Sequence, residues 1–303
     1  MKTIAMTHRP VRSAILAWSA AVAVACICGP TTAADERVQP GTTSEFRPMD
    51  VSRLFTIPTA NVLGSFRADL NGGGTFSAEK ERGFLGRAAV GLGDVAEVEF
   101  STLSILNSLK ARSSGFPTTA LKMRIFGERA RRPAVACMLR GTTGWRELDS
   151  DRSPIDFYRA SYDTRLTRLH VIGSKTIAST SVHLGIGWVD VRVKGPSTSG
   201  GEVQSGESQT NLFAPFAGFA VQVNPLTLIM GEIETSPRYK FPAGSEFSHP
   251  EVERAWSAVL GVRFFFTDWL ATDAGACYRS DFDGIADASI RAAATIMLPL
   301  NQW

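Results

Sequence analysis

The chain has 303 residues, 44% of them hydrophobic and 20% charged, with a mean hydropathy of +0.00. That composition excludes a disordered polymer, and no window beyond the N-terminal region reaches the ~18 consecutive apolar residues of a membrane-spanning helix. Lys+Arg 32 against Asp+Glu 29 is nearly balanced, so charge implies no nucleic-acid partner.

The N-terminus carries Lys2, Arg9 and Arg12 ahead of an uncharged run from Ala14 to Cys28. Gly29-Pro30 and Thr31-Thr32-Ala33-Ala34 follow. A basic start, a short apolar core and small residues at the end make a secretory signal peptide over residues 1–34, cleaved after Ala33 or Ala34. Cys26 and Cys28 leave with it, and the mature chain keeps Cys137 and Cys277. One reading joins these two in a long-range disulfide in an oxidising periplasm; the other makes them separate packing residues. Residues 35–55, polar with Pro40, Gly41 and Pro48, read as a periplasmic N-terminal segment.

From residue 56 onward the chain alternates apolar and polar residues in short stretches punctuated by turn chemistry, and twelve strands are expected. The first runs from Val62 to Leu70 and ends at Asn71-Gly72-Gly73-Gly74. The second, Phe84 to Leu92, turns at Gly93-Asp94 into the third, Val95 to Ser104. The fourth, Pro117 to Phe126, is followed by a turn over Gly127 to Pro133 and the fifth, Ala134 to Trp145. The sixth spans Ile155 to Ile172 with a turn at Gly173-Ser174-Lys175. The seventh covers Thr176 to Lys194, and Gly195 to Thr210 reads as a Gly/Ser-rich loop. The eighth, Asn211 to Val223, turns at Asn224-Pro225 into the ninth, Leu226 to Glu234. The tenth, Val252 to Phe266, turns at Thr267-Asp268 into the eleventh, Trp269 to Arg279. The last begins at Ile285 and closes the chain at Trp303.

In that last strand Ala286, Ala288, Ile290, Ala292, Ala294, Ile296, Leu298 and Leu300 form one apolar row, while Asp287, Ser289 and Arg291 lie on the other. A period of two over this length is a strand with one face in an apolar medium. Short turns also alternate with mostly longer polar loops, which is the layout of an outer-membrane barrel with an even strand number. Lipid leaves no unpaired backbone polar group unpunished, so such a sheet closes on itself. The expected fold is therefore all-β: a single antiparallel up-and-down transmembrane β-barrel of about twelve strands over residues 56–303.

The expected outward rows include Phe84, Ala88, Val90; Leu121, Met123, Ile125; Phe213, Phe219, Val221; and Trp256, Ala258, Leu260, Val262, Phe264, Phe266. The opposite rows carry the charges, which lipid penalises and a wet lumen tolerates. Candidate pore-lining residues are Arg67, Arg87, Lys122, Arg124, Arg140, Arg159, Arg165, Arg263, Arg279 and Arg291, with the acids Glu97, Glu99, Asp163, Glu232, Glu234, Asp273 and Asp287. The seventh strand breaks the pattern, because Leu184, Ile186 and Trp188 share a row with Asp190 and Arg192. Either a bulge or an overlong strand leaving the membrane would account for that.

An arginine-rich lumen favours anionic solutes, whereas Arg–carboxylate pairing would simply fill a narrow barrel. Glu232 and Glu234 share one face and are expected to partner lumen arginines. The mature chain has three histidines, His170, His183 and His249. No motif pairs one with a serine on the outer face, and no His/Cys/Asp clustering suggests a metal.

From Phe55 to about Gly141, and again near its end, the sequence resembles a broad group of bacterial outer-membrane β-barrels, porin-like and transporter-like. The resemblance rests on Pro58-Thr59-Ala60, on Gly91-Leu92-Gly93-Asp94-Val95-Ala96-Glu97-Val98-Glu99, on Leu121-Lys122-Met123-Arg124 before Arg131-Arg132-Pro133, and on the aromatic terminus. It implies the fold, an outer-membrane location and recognition of the strand ending in Trp303 by the barrel-assembly machinery. It implies no catalytic residue and no cofactor. The functional expectation is a porin-like passive channel for small solutes, without enzyme activity and surrounded by outer-membrane lipid. The alternative is a structural or surface-interaction barrel with a filled or plugged lumen.

Overall fold

The computed structural model describes residues 51–76, 83–101, 118–148, 160–199, 202–240, 251–282 and 284–300. The expected signal peptide and Trp303 lie outside them. Among the described residues there are twelve strands: β1 (Arg67–Phe76), β2 (Gly83–Leu92), β3 (Ala96–Ser101), β4 (Thr118–Phe126), β5 (Ala134–Leu148), β6 (Ala160–Ile177), β7 (Thr180–Ser199), β8 (Glu202–Asn224), β9 (Thr227–Lys240), β10 (Glu251–Thr267), β11 (Leu270–Arg279) and β12 (Ser289–Pro299). Each pairs antiparallel with its chain neighbours, and β12 returns to β1 along a register from Arg67↔Pro299 to Phe76↔Ile290. The sheet is a closed up-and-down barrel with no free edge.

Alternation explains both faces. In β12, Ser289, Arg291, Ala293 and Thr295 are buried, while Ile290, Ala294 and Ile296 are exposed. The same inversion recurs around the barrel: Leu121, Met123, Leu139, Leu260 and Phe266 stand out on the exterior, while Arg87, Glu97, Glu99, Lys122 and Arg140 are buried within. A soluble protein rarely exposes a contiguous apolar patch beyond a few hundred Å², and this one runs round the whole wall.

Turns sort by end. Hairpins β2–β3, β6–β7, β8–β9 and β10–β11 close with two or three residues at one end. Gly93 and Asp94 both take positive φ, 63° and 55°, the left-handed pair that matches the twist of a two-residue hairpin.

Several strand limits differ from expectation. The first strand starts at Arg67 and contains Asn71-Gly72-Gly73-Gly74, which was expected to end it. Gly73 serves the seam: a Cβ there would lie 2.3 Å from the Ala292 carbonyl oxygen, so only a bare backbone lets β1 come this close to β12 at that position. The β6–β7 turn falls at Ala178-Ser179, so Gly173-Ser174-Lys175 belongs to β6. Gly195 to Thr210 is largely extended, because β7 and β8 pair out to Ser199↔Glu202. Ile285–Asp287 forms one 3-10 turn before β12, and Asp287 accepts from the Gly284 N–H at 3.2 Å, so Asp287 sits in that turn and not in the strand row expected to carry it.

The row of β7 is continuous with both neighbours and has no bulge. The strand is simply long, 20 residues. The Trp188 and Phe213 rings pack at a tilt on the exterior, their centroids 4.9 Å apart. One step beyond them the outer row turns polar, with Arg192 paired to Asp190 at 3.2 Å and Gln209 donating to Asp190 at 2.9 Å. The stretch from Thr180 to Trp188 matches the ~9–11 residues a tilted strand needs to cross the hydrocarbon. Cys137 and Cys277 are both free.

Candidate functional site: the occupied lumen

The described part of the segment expected in the periplasm, Val51–Phe55, lies inside the barrel. From Val51 to Ala60 every residue except Thr56 is buried. The chain doubles back here: Thr59 N–H donates to the Ser52 carbonyl (3.1 Å), Leu54 N–H to the Ile57 carbonyl (3.1 Å), and Arg53 bridges Pro58. The result is a small hairpin, Ser52 to Thr59, with Phe55 and Thr56 at its tip.

Its tip is held by one carboxylate. Glu232 on β9 accepts the N–H groups of Phe55 (3.0 Å), Thr56 (2.8 Å) and Ile57 (3.3 Å), and the Thr56 hydroxyl bonds the same group. Successive backbone N–H groups converging on an anion form a nest. Glu232 was expected to pair with a lumen arginine; instead it satisfies backbone donors of the hairpin, which a helix or sheet would otherwise have satisfied. Glu234, one step along the same inward row, does meet an arginine, Arg168, at 3.6 Å.

Room for the tip comes from missing side chains. A Cβ on Gly218 of β8 would stand 2.6 Å from both the Leu54 and Ile57 Cδ1 atoms, and one on Gly275 of β11 would stand 3.2 Å from the Phe55 ring. The base of the hairpin is anchored by charge. Lys122 donates to the Ser52 carbonyl at 2.9 Å, and Arg263 to the Arg53 and Leu54 carbonyls at 3.3 and 3.2 Å. Arg53 itself reaches Glu99 at 3.0 Å.

Glu99 sits at the centre of a buried ionic network. It also accepts from Arg87 (3.0 Å) and Arg140 (3.1 Å). Arg87 reaches Asp69 (2.8 Å) and Glu97 (2.9 Å) as well, and Glu97 meets Lys122 at 3.1 Å. On the opposite wall Arg263 and Asp273 form a two-point pair at 2.6 and 2.8 Å. Guanidinium–carboxylate forks of this kind hold buried charges in a fixed geometry. A second anchor follows the hairpin: the Ala60 N–H donates to Ser174 Oγ (2.8 Å), which bonds His183 Nδ1 (2.8 Å). Both residues are buried in the interior, so this Ser–His contact does not face lipid.

The sequence-named residues therefore divide. Arg87, Glu97, Glu99, Lys122, Arg140, Glu232, Arg263, Asp273 and Arg291 are buried inside the barrel. Arg67 and Arg124 are half-buried at the turn end, and Arg279, the last residue of β11, pairs with Asp281 at 2.8 Å. Arg165 is a correction. It is exposed, because the inward row of β6 is Leu166, Arg168, His170 and Ile172; its charge suggests the lumen, yet it stands where the long strand has left the apolar zone. Asp163 lies in β6 across from Lys194, and Arg159 lies outside the described residues. Sequence reasoning missed Arg53, Arg168 and His170. Arg168 and His170 are legible in the alternation once the β6 row is phased on Leu169 and Val171, which are exposed. Arg53 carried no periodic signal. Among the described residues, no group of three or more His, Cys, Asp or Glu side chains converges as a metal site.

An apolar wall facing out around a closed ring, with its charges turned inside, has one stable surrounding: hydrocarbon. The molecule is an outer-membrane β-barrel. Its turn end is the periplasmic side in such barrels. No family model matches the chain, and no curated protein matches it in sequence. Among solved structures it is similar to the translocator domain of the autotransporter NalP from Neisseria meningitidis, at 10% identity and TM-score 0.48, covering 78% of this chain and 88% of that one. It is also similar to OmpT of Vibrio cholerae, at 12% identity and TM-score 0.44, covering 77% and 96%. The Pseudomonas putida toluene transporter TodX follows at 11% identity and TM-score 0.35, covering 76% and 87%. At these values no function transfers from any of them to this barrel.

Proposed function

We propose that this barrel is closed to free diffusion by its own hairpin and serves a structural or surface-interaction role rather than that of an open pore. The observation that carries this reading is the Glu232 nest. Three backbone N–H groups and a hydroxyl of the hairpin tip converge on one wall carboxylate, so the hairpin is specifically seated rather than loosely threaded. In this reading lipid covers the outward rows, and the strand running on to Trp303 is what the assembly machinery recognises. No catalytic step is part of it.

Planar bilayers test the proposal. The purified protein is expected to give no discrete conductance at low voltage, and a variant lacking residues 52–59 is expected to conduct. Stepwise currents from the intact protein would sink the closed-barrel reading.

A second reading, the porin-like passive channel for small solutes, draws support from the wall itself. Arg87, Glu97, Glu99, Lys122 and Arg140 line the interior, and a charged wall suits water once the hairpin withdraws. Conductance from the intact protein, selective for small ions, would favour that reading.

A further inference from the structure

Between the hairpin and the β1–β12 side of the wall lies a cavity of about 420 Å³, within the usual range for a small-molecule site. Six arginines and four carboxylates line it. Most of those charges are spent. Arg87 uses all its nitrogens on Asp69, Glu97, Glu99 and Ser52, and Arg263 is committed to Asp273 and two hairpin carbonyls.

Among the buried arginines of the lining, Arg291 is the exception. It is only 7% exposed, points inward from β12, and makes no hydrogen bond or ion pair with any described residue. It is one of the residues that line the cavity. Glu232, an acid within electrostatic reach, has both oxygens turned to the hairpin. Arg53 adds a second positive charge from the hairpin side, close enough to repel Arg291. A buried guanidinium without a partner is costly, and its planar donor fork matches a carboxylate or phosphate. Beside it the cavity is walled by Phe55, Phe265, Ala293 and Met297, which offer an apolar surface to the rest of a ligand.

We propose that this cavity binds a small organic anion, its carboxylate held by Arg291 and its apolar body lying against Phe55, Phe265 and Met297. The site does not depend on whether the barrel conducts. Isothermal titration of the full-length protein in non-ionic detergent, with butyrate, inorganic phosphate and butylammonium as probes, tests it. Butyrate is expected to bind saturably at one site, butylammonium not at all. R291Q is expected to weaken butyrate at least about tenfold, the loss of one charge-assisted contact, while R291K, which keeps a cation, retains part of the affinity. An unchanged thermal midpoint in R291Q shows the barrel intact. Absence of butyrate binding by the unaltered protein, or equal binding by R291Q, would overturn the site. Tighter binding of phosphate than of butyrate would overturn the organic-ligand assignment.

Discussion

Glu232 and Thr56 are joined twice, the Thr56 N–H and hydroxyl both meeting Oε1 of the carboxylate. They are 176 residues apart in the chain, and the contact crosses from the wall to the middle of the lumen. One side chain thus decides whether three consecutive backbone donors are satisfied or stranded.

Glu232→Ala should loosen the hairpin without unfolding the barrel. Hydrogen bonds to a charged group contribute roughly 1.5–3 kcal/mol, so amide exchange at Phe55 to Ile57 should accelerate by about ten- to a hundredfold. Glu232→Gln, which keeps one acceptor, should fall between. Exchange rates indistinguishable from the parent protein would show that the nest does not hold the tip.

Gly218→Leu should expel the hairpin by volume alone. The new side chain starts 2.6 Å from Leu54 and Ile57, and overpacking of this kind costs about 1–3 kcal/mol. In an Ile57→Cys background the thiol, buried in the parent, should become reactive to a maleimide. Continued protection in the double variant argues against the seating described.

Arg87→Ala removes the common partner of Asp69, Glu97 and Glu99. Leaving buried charge uncompensated costs about 3–5 kcal/mol, so the urea midpoint of the barrel in lipid vesicles should drop clearly. Arg87→Lys keeps the charge but not the fork, and should recover only part of the loss. A midpoint shift under ~1 kcal/mol in Arg87→Ala contradicts the network's role.

Leu260→Arg and Arg165→Leu probe the two outward zones. Leu260 is 59% exposed midway along the apolar row of β10, where a cation at the bilayer midplane costs about 2–4 kcal/mol. Arg165 stands outside that band, so its replacement should change stability by less than ~0.5 kcal/mol. Unfolding in vesicles measures both, and a reversed order would misplace the lipid boundary.

Much of the architecture was legible in the sequence, because strand periodicity is local. Ile290, Ala294 and Ile296 face out and Arg291 faces in whatever the rest of the chain does, and a ring of such strands must close in lipid. The rows of β4, β8 and β10 follow from the same rule. Phase was lost where the local signal was ambiguous. The charge of Arg165 suggests the lumen although Leu169 and Val171 of its own row are exposed, and Gly72-Gly73-Gly74 suggests a turn because glycine marks both turns and close backbone approach.

What filled the barrel was decided only in three dimensions. Arg53, Phe55 and Thr56 belong to a stretch with no period, and their partners Glu99 and Glu232 are 46 and 177 positions away. Contacts at that separation depend on how twelve strands close and which inward sites hold glycine, and neither leaves a repeat in the sequence. For the same reason Arg291 is legible as a lumen cation from its row, but that it has no partner among the described residues is a matter of the tertiary structure alone.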